Sequence, residues 1–476
     1  MGEEFRQKII IDPVHGDIGL SKLETELIDT PTFQRLRRIK QLGLAYIVYP
    51  NARHSRFEHS LGVMHIMTRI LESLRSKNKD AVPDDHFRKL RIAALLHDIG
   101  HYPYSHLMER IDWDSAQKYI TKKGQDKEEV VAARKEYPKH DKLGEIVITR
   151  RRDIREKLKD GDIDPRDIAA LVKGQHQSIL NLLNASLDVD RLDYLVRDSF
   201  NTGLPYGKVD LDYIVNNLEL IDQEEETDQK EIVIRAKAKS SIEHMLMGRY
   251  FMFNTVYMHK TVFAFEEMIR RIIRRLWEKG EIYGSGQEIE QMASEDSKRF
   301  LDFHDGYLDQ RIDKHADNKR DKKLAVLCTA IKLRQPPKLV YEVSELTLDG
   351  NNPSQEYTLL TTSFKDKVKE LASETQIPEE RWLFNDIKTP EFEKLHPFVS
   401  LAEAAAFKDS GEQQLRELVK VKKSSGKIER LLMDKSSILH YMSRLKPRLY
   451  RVYVTAINDA KANEITAKIQ EWLQRG

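Results

Sequence analysis

The segment RIAALLHDIGH, residues 91–101, places two adjacent polar side chains, His97 and Asp98, inside an otherwise apolar stretch. Its apolar residues recur at three- and four-residue spacing, which predicts a buried helix. Burial of an ionised carboxylate is costly unless a positive charge or a metal ion compensates it. The fold around this segment therefore has to supply a cation, and a divalent metal ion is one source.

Two further helical segments offer side chains of the same kind, His59 in RFEHSLGV and Asp190 in LDVDRLDYLVRD. Imidazole nitrogens and carboxylate oxygens suit zinc, manganese and iron as ligands. An isolated His-Asp pair is more often a helix cap or a salt-bridged pair, so the interpretation depends on all four side chains together. The pattern predicts a metal site with open positions for water and substrate, formed by His59, His97, Asp98 and Asp190.

The rest of the chain indicates a mainly α fold. We predict a helical domain over residues 1–280 and a smaller, mixed α/β region over residues 281–476 that serves regulation or oligomerisation. Apolar periodicity predicts helices over Phe57–Leu74 (with Ser55 as N-cap), Lys89–Ile99, Leu187–Asp198 and Ser241–Trp277. Runs rich in Val, Ile, Tyr and Leu predict strands over Lys8–Ile11, Glu231–Arg235, Lys338–Val343, Tyr357–Leu360 and Leu449–Thr455.

Composition excludes several classes of protein. The 79 basic side chains nearly balance the 77 acidic ones, which argues against a globally basic nucleic-acid binder. Nucleic-acid binding is supported only by the local basic runs 149–159 and 419–423. The single cysteine, Cys328, allows no intrachain disulfide and favours a reducing compartment. The apolar stretches are too short for a membrane span, so we expect a cytoplasmic protein, or a nuclear one in a eukaryote.

Several motifs together resemble one family, the HD-domain deoxynucleoside triphosphate (dNTP) triphosphohydrolases, which include bacterial enzymes and the vertebrate enzymes that join a SAM domain to an HD domain. The resemblance implies metal-dependent cleavage of a dNTP into deoxynucleoside and triphosphate. The resemblance begins at residue 8, so only seven residues precede it and we expect no SAM domain. The motifs are IDPVHGDIGL, IDTPTFQRLRRIKQLG, RFEHSLGV, LLHDIGHYPYSH, LDVDRLDYLVRD and residues 249–260.

The resemblance also implies roles for individual residues. His106 matches the family histidine that protonates the leaving 5′ oxygen, and an imidazole has a suitable pKa for general acid work. Relatives have a His-Glu pair where this chain has His140 and Asp141, within a divergent stretch. The implied catalytic residues are His101, His106, Glu109 and His140.

Implied substrate contacts divide between phosphate and sugar. Arg56, Arg191 and Arg249 match phosphate-binding positions, although the vertebrate enzyme has a lysine at the place of Arg191. An apolar side chain and a ring packed against the 2′ carbon would exclude a ribose hydroxyl. The residues that match the sugar contacts are Gln41, Leu42 and Tyr257 around the 2′ carbon, and Tyr194 and Asp198 at the 3′ hydroxyl.

The resemblance further implies nucleotide activation of a homo-oligomer, with a homotetramer expected. One activator site would bind GTP or dGTP. A second would bind a dNTP through His259 and Lys260, although Tyr213 stands where the vertebrate enzyme has an arginine. The residues that match the first activator site are Lys8, Asp29, Gln34, Arg37, Arg334 and Lys338.

Three other functions remain open at this stage. An HD phosphohydrolase could act on a monophosphate, a signalling nucleotide or a phosphodiester with the same metal residues. A single-strand nuclease and a catalytically silent nucleotide sensor are the others. Manganese, iron, zinc and magnesium all remain alternatives for the metal, and the preference among the four dNTPs and the biological role, dNTP pool control or antiviral defence, stay open.

Overall fold

The structure is a computed structural model of the 476-residue chain. It describes residues 7–108, 137–176, 182–183, 187–222, 230–318, 320–348, 351–384 and 419–475. The chain divides into two compact units: Met1–Met252, Ile273–Gln310 and Arg416–Leu431 form the first, and Phe253–Ile272, Arg311–Leu415 and Leu432–Gly476 form the second. Both units take segments from each side of residue 280, and the expected domain boundary there stays a prediction.

Helices make up most of the first unit, which confirms the mainly α prediction. Most of them carry a buried stripe of apolar residues and are capped by Ser, Thr or Asp side chains. They are α1 (Lys22–Ile28), α2 (Pro31–Gln34), α3 (Arg56–Lys77), α4 (Asp84–Leu96), α5 (His140–Arg150), α6 (Arg152–Asp160), α7 (Pro165–Val172), α8 (Val189–Thr202), α9 (Leu211–Asn216) and α10 (Lys239–Met252). Helices α12 (Gly286–Ser294) and α13 (Lys298–Leu301) also belong to the first unit, while α11 (Lys260–Glu278) and α14 (Asp305–Ala316) each contain residues of both units.

Ser55 begins α3, as predicted. Its hydroxyl accepts a hydrogen bond from the backbone N–H of Phe57 at 3.2 Å, and the Glu58 carboxylate accepts one from the Ser55 N–H at 2.8 Å. This capping box satisfies backbone donors that have no partner inside the helix. It fixes the first turn of α3, which carries Arg56 and His59.

Two predicted helices end earlier than expected. Helix α4 ends at Leu96 rather than Ile99, with His97 as its C-cap, and residues 97–100 form a turn. The prediction of one helix from Ser241 to Trp277 is also wrong, because a π-helical turn, Phe253–Tyr257, separates α10 from α11. Wide turns of this kind shift the register of the side chains that follow, a change that periodicity alone does not report.

Two small sheets accompany these helices. Strands β1 (Lys8–Asp12) and β2 (Gly16–Leu20) form an antiparallel hairpin. Strands β3 (Leu218–Asp222), β4 (Lys230–Arg235), β7 (Lys420–Lys422) and β8 (Ile428–Arg430) form a four-stranded sheet in that order. The predicted strands at residues 8–11 and 231–235 are therefore confirmed.

The basic run 419–423, one of the two that suggested a nucleic-acid contact, contributes strand β7. Its lysines face acids of the same sheet: Lys420 Nζ lies 2.6 Å from a carboxylate oxygen of Glu231. Lys422 pairs with Glu219, and Lys423 with Glu429. Because these lysines are paired across strands, the run offers little free positive charge to a phosphate backbone.

The second unit contains a three-stranded antiparallel sheet of β5 (Lys338–Leu348), β9 (Leu445–Val454) and β6 (Trp382–Phe384), in that order. Its helices are α15 (Lys322–Lys332), α16 (Gln355–Thr375), α17 (Ile438–Met442) and α18 (Asp459–Arg475). This smaller region, which mixes helices and strands, agrees with the predicted fold class. None of the helices that the structure describes is both long and apolar enough to span a membrane.

The predicted strand at residues 357–360 is wrong, because these residues lie in α16. Ser354 caps this helix by accepting a hydrogen bond from the Tyr357 N–H at 3.1 Å. Tyr357, Leu360 and Phe364 are buried at helical spacing in the core of the sheet and helices. A four-residue apolar run does not distinguish a strand from the start of a helix, and here burial of these side chains in the core of the second unit decided.

A fully buried ion pair joins α1 to α4 in the first unit. Arg91 Nε and Nη2 donate to the two carboxylate oxygens of Glu24 at 2.7 and 2.8 Å, and both side chains are 2% exposed. Arg91 Nη2 also donates to the Gly19 carbonyl at 3.1 Å. The guanidinium thus ties hairpin strand β2 and two helices together.

We predict that Glu24→Gln destabilises the first unit by about 3–5 kcal/mol, because it leaves the buried Arg91 charge without its carboxylate. Urea unfolding followed by circular dichroism measures the effect. Glu26→Gln is the matched control, because Glu26 pairs with exposed lysines and its loss should cost less than about 1 kcal/mol. Equal stability of the two variants would contradict the prediction.

Candidate active site

Three of the four predicted metal ligands form one compact group. His59 lies on α3, and His97 and Asp98 follow α4; each offers a ligand atom within 4.8 Å of the others. His59 Nε2 is 3.7 Å, and His97 Nε2 3.4 Å, from the Asp98 carboxylate. Asp190, on α8, is outside this group, but its Oδ1 lies 2.9 Å from His59 Nε2.

The atoms in this group suit a divalent cation. His97 Nδ1 bonds the Ala94 carbonyl at 2.8 Å, which leaves its buried Nε2 without a hydrogen-bond partner. His59 Nε2 is likewise buried and makes no hydrogen bond of acceptable geometry. Neutral imidazole nitrogens of this kind are ligands for transition metals. Asp190 is 37% exposed, so solvent reaches the site from its side.

The charges around His59 also favour a bound cation. Burial lowers the pKa of its imidazole, but the carboxylates of Asp190 and Asp193 outweigh burial and raise this pKa to about 10. The surroundings of His59 are therefore negative enough to hold either a proton or a metal ion. Together with the orphaned nitrogens, this charge shows that the residues present fit the metal that the sequence analysis expects.

Arg56, predicted to bind phosphate, is buried beside the same carboxylate. It donates one hydrogen bond to Asp98 Oδ2 and another to Ser105 Oγ. Burial alone would raise the pKa of Asp98, yet the charge of Arg56 and the nearby histidines hold it well below its usual range. Asp98 is therefore ionised, as a metal ligand has to be.

Three histidines that the resemblance marks as catalytic form a second group. The rings of His101 and His140 stack with centroids 4.1 Å apart, and His106 lies edge-on to both at 4.9 and 5.1 Å. His101 Nε2 lies 3.1 Å from Asp98 Oδ1, so the two groups are joined. Burial, followed by the charge of Arg56, holds the pKa of His101 well below its ordinary value. Glu109, the fourth implied catalytic residue, lies outside the described residues.

A close backbone approach brings His140 to this group. A Cβ on Gly100 would lie 2.2 Å from the Gly144 nitrogen and 2.3 Å from the His140 carbonyl oxygen. Only glycine at position 100 allows the turn after α4 to pack so tightly on α5. The sequence places His140 far from His97, and this contact is what joins them.

The predicted substrate residues of the first unit other than Arg56 lie on α8, α10 and the segment before α3. Arg191 Nε is 3.2 Å from Asp188, and the charges of Arg191 and Arg249 both act on the Tyr194 hydroxyl, whose pKa burial nevertheless raises. Arg191, Tyr194 and Arg249 are therefore neighbours.

Gln41 and Asp198 are linked through His54, and Leu42 follows Gln41 in the chain. The Gln41 N–H donates to the His54 carbonyl at 3.0 Å, and His54 Nε2 lies 2.9 Å from Asp198 Oδ1. Gln41 Oε1 is buried and has no hydrogen-bond partner among the residues that the structure describes. Tyr257, the remaining predicted sugar contact, ends the π-helical turn in the second unit.

The predicted activator residues divide between the two units. In the first unit, Lys8 Nζ lies 3.5 Å from Asp29, Arg37 Nε donates to Gln34 Oε1 at 2.8 Å, and Gln34 donates to the Ile28 carbonyl at 2.9 Å. In the second unit, Lys338 Nζ lies 2.7 Å from Asp459 and the Lys260 carbonyl accepts from Tyr453. Arg334 has a left-handed backbone (φ 51°), and His259 Nδ1 accepts from the Thr261 N–H.

Sequence reasoning missed Arg35, which holds the turn that carries His97, Asp98 and His101. Its buried guanidinium donates to the carbonyls of Ile99, His101 and Phe303. Burial, with the nearby charge of Arg151, lowers the pKa of Arg35 to about 9. The sequence does place Arg35 in the motif IDTPTFQRLRRIKQLG. The pattern of charges in that motif, however, does not distinguish Arg35 from its neighbouring arginines.

We predict that the double variant His97→Ala/Asp98→Ala stays folded and loses its bound metal, because it removes two of the grouped ligands. Elemental analysis of the purified protein, alongside circular dichroism, is the measurement. His86→Ala, on the same helix α4, is the control and should keep its metal. Wild-type metal content in the folded double variant would show that the ion binds elsewhere.

Comparisons with known proteins agree with the site. The HD domain model matches residues 56–198, and the HD associated region model matches residues 209–328. A protein of Methanocaldococcus jannaschii, described as uncharacterised, is 34% identical over 312 residues, which cover 64% of this chain and 58% of the relative. The bovine deoxynucleoside triphosphate triphosphohydrolase is 47% identical over 103 residues, 21% of this chain and 18% of that enzyme.

A solved structure shows the same fold. The crystal structure of a phosphohydrolase from Bacteroides thetaiotaomicron superposes with a TM-score of 0.66 at 23% identity, covering 94% of this chain and 100% of that one. The chain spans about half the length of the curated relatives that it matches over long stretches, from 49% to 58% of each. The His/Asp group lies within the HD domain match, and the associated region follows it in the chain, so the chain belongs to the HD-domain family.

Proposed function

We propose that this protein hydrolyses dNTPs to deoxynucleosides and triphosphate. The observation that carries the proposal is the junction of two groups at Asp98: the metal-ligating His59, His97 and Asp98, and the three histidines reached through His101. The 47% identity of a 103-residue segment to a dNTP triphosphohydrolase supports the same reaction.

The first requirement of this reaction is to hold a highly charged triphosphate. A divalent ion bound by His59, His97, Asp98 and Asp190 would supply Lewis-acid chemistry, polarising a phosphoryl oxygen and lowering the pKa of water. Arg56, buried against Asp98, brings a permanent charge to the same place. Arginine can bind phosphate oxygens through two parallel N–H groups, which favours a fixed orientation.

The second requirement is a proton for the leaving 5′ oxygen. His101 is held neutral by burial and by Arg56, so it suits a hydrogen-bonding role better than that of the acid. His106 is less buried than His101 and packs edge-on to it. We therefore assign proton donation to His106, with His101 and His140 orienting its ring, and Glu109 stays a prediction.

The third requirement is recognition of deoxyribose. Gln41 and Asp198 are joined through His54, and the buried Gln41 Oε1 has no hydrogen-bond partner within the described part of the chain. An unsatisfied buried acceptor costs free energy that a ligand donor can recover. We propose that Gln41, its neighbour Leu42, Tyr194 and Asp198 surround the sugar, with Arg191 and Arg249 on its phosphate side. The role of Tyr257 in selection against a 2′ hydroxyl stays a prediction.

A chromatographic assay tests the reaction. With Mn²⁺ or Mg²⁺, we expect each dNTP to give deoxynucleoside and intact triphosphate as the first products, and ribonucleotides to react poorly. Primary release of orthophosphate or pyrophosphate would contradict the proposal. Turnover of a monophosphate, a cyclic dinucleotide or a phosphodiester instead would indicate the alternative HD phosphohydrolase.

We also propose that a guanine nucleotide activates the enzyme by assembling a homo-oligomer, with a tetramer expected. Support comes from the exposed cluster of Lys8, Asp29, Gln34 and Arg37, which lies apart in sequence from the four metal ligands. A carboxylate such as Asp29 can accept hydrogen bonds from guanine. Arg334 and Lys338 would add positive charge for the triphosphate, and His259 with Lys260 would serve the second, dNTP-binding activator site.

The single buried, free cysteine supports the expected cytoplasmic location.

We predict that GTP or dGTP raises both the oligomeric state and the rate on dATP, because a ligand that binds only the assembled form stabilises it. Light scattering and rate measurements with and without GTP test this. Asp29→Ala and Arg37→Ala should lose the response and keep their metal content. A constant oligomer with a GTP-independent rate would overturn the proposal of activation and leave the hydrolysis untouched.

A further inference from the structure

The motif IDPVHGDIGL has no role in the function proposed above, yet the structure buries its polar residues. Asp12 ends β1, and its Oδ1 accepts hydrogen bonds from the backbone N–H groups of Val14 and His15, both at 2.9 Å. These bonds fix the turn between β1 and β2. The same turn places the His15 side chain, which is only 3% exposed, in the interior of the first unit.

The partner of His15 is a carboxylate on α8. His15 Nε2 lies 2.6 Å from Asp193 Oδ1. Arg197, one turn later, donates to both oxygens of Asp193 at 2.8 and 3.0 Å, and its Nη1 donates to Asp12 Oδ2 at 2.8 Å. The side chains of Asp12, His15, Asp193 and Arg197 are all at most 3% exposed. We call these four residues the hairpin network.

The hairpin network ends on a metal ligand. Asp193 Oδ2 lies 2.8 Å from His59 Nδ1, the ring nitrogen opposite the one that faces Asp98 and Asp190. The approach is close: a Cβ on Gly62, one turn along α3 from His59, would lie 1.9 Å from Asp193 Oδ1 and 2.3 Å from Arg197 Nη2. The glycine leaves room for the carboxylate and guanidinium to pack on α3.

We propose that Asp193 is a positioning residue for the metal site, and that Arg197 and His15 of the N-terminal hairpin hold it in place. Asp193 accepts the proton on His59 Nδ1, which selects the tautomer whose Nε2 lone pair is available to a metal ion. The inference rests on the metal site of the proposed function and adds residues that do not touch the ion.

The physical reason is that a carboxylate behind a ligating imidazole orients the ring and makes it a stronger ligand. Asp193 itself has to be held, because a rotated carboxylate would present no acceptor to His59. Three donors do so, two from Arg197 and one from His15. Asp12 accepts hydrogen bonds from the other edge of the Arg197 guanidinium. The Asp12, Asp193 and Arg197 side chains therefore each have an oppositely charged partner.

The experiment measures metal affinity without substrate, by competition of Zn²⁺ and Mn²⁺ between the full-length protein and a chromophoric chelator. Asp193→Asn should weaken binding about 10- to 100-fold, as loss of a partner behind a ligand commonly does. His15→Leu removes one donor to Asp193 and should weaken binding in the same direction by a smaller factor. In ¹⁵N-histidine-labelled, metal-loaded protein, the Nδ1 proton of His59 should exchange with solvent faster in both variants.

Glu24→Gln is the matched control, because it breaks an equally buried ion pair of the first unit that does not touch a ligand. It should lower the melting temperature without changing metal affinity or exchange at His59. Unchanged affinity in folded Asp193→Asn and His15→Leu would overturn the proposal, and His15→Leu decides if Asp193→Asn does not fold. Absence of dNTP hydrolysis in the wild type would reject the proposed function without altering these binding results.

Discussion

The cost of burying charge governs the first unit. Asp98, Asp193, Asp12 and Glu24 are all carboxylates with less than a tenth of their surface exposed, and an arginine donates to each of them. Burial of one partner alone would cost several kcal/mol, so these pairs can form only when the helices and the hairpin are correctly placed. Around His59 the acids outnumber the bases, and that excess is what makes the site attractive to a cation.

The geometry of the proposed active site depends on backbone that is not helical. The turn after α4 exposes the carbonyls of Ile99 and His101, and Arg35 binds both. Tyr104 and Ser105 then adopt left-handed conformations, with φ of 54° and 60°. Such conformations cost about 1–3 kcal/mol each and persist where surrounding contacts fix them. Here the Tyr104 N–H donates to Asp305 and Ser105 accepts from Arg56.

The N-terminal hairpin carries residues of two different regions, the hairpin network and the proposed activator cluster. Its turn supports the metal ligand His59 through Asp193, while Lys8, at the start of β1, pairs with Asp29 in the proposed activator cluster. Strand β1 pairs with β2 from Lys8 to Asp12, so one short element carries residues of both regions.

The sequence by itself determined the mainly α class, the cap at Ser55 and most strands, because caps and apolar periodicity are local properties. It also singled out His59, His97, Asp98 and Asp190, since polar residues in apolar segments need a reason to be there. Only the tertiary structure decided that α4 stops before His97, that Gly100 admits His140, and that Asp193 stands behind His59. These features arise from contacts between segments distant in the chain, which no local pattern encodes. The apolar run at residues 357–360 shows the same limit, because the core of the second unit, not the run itself, made it helical.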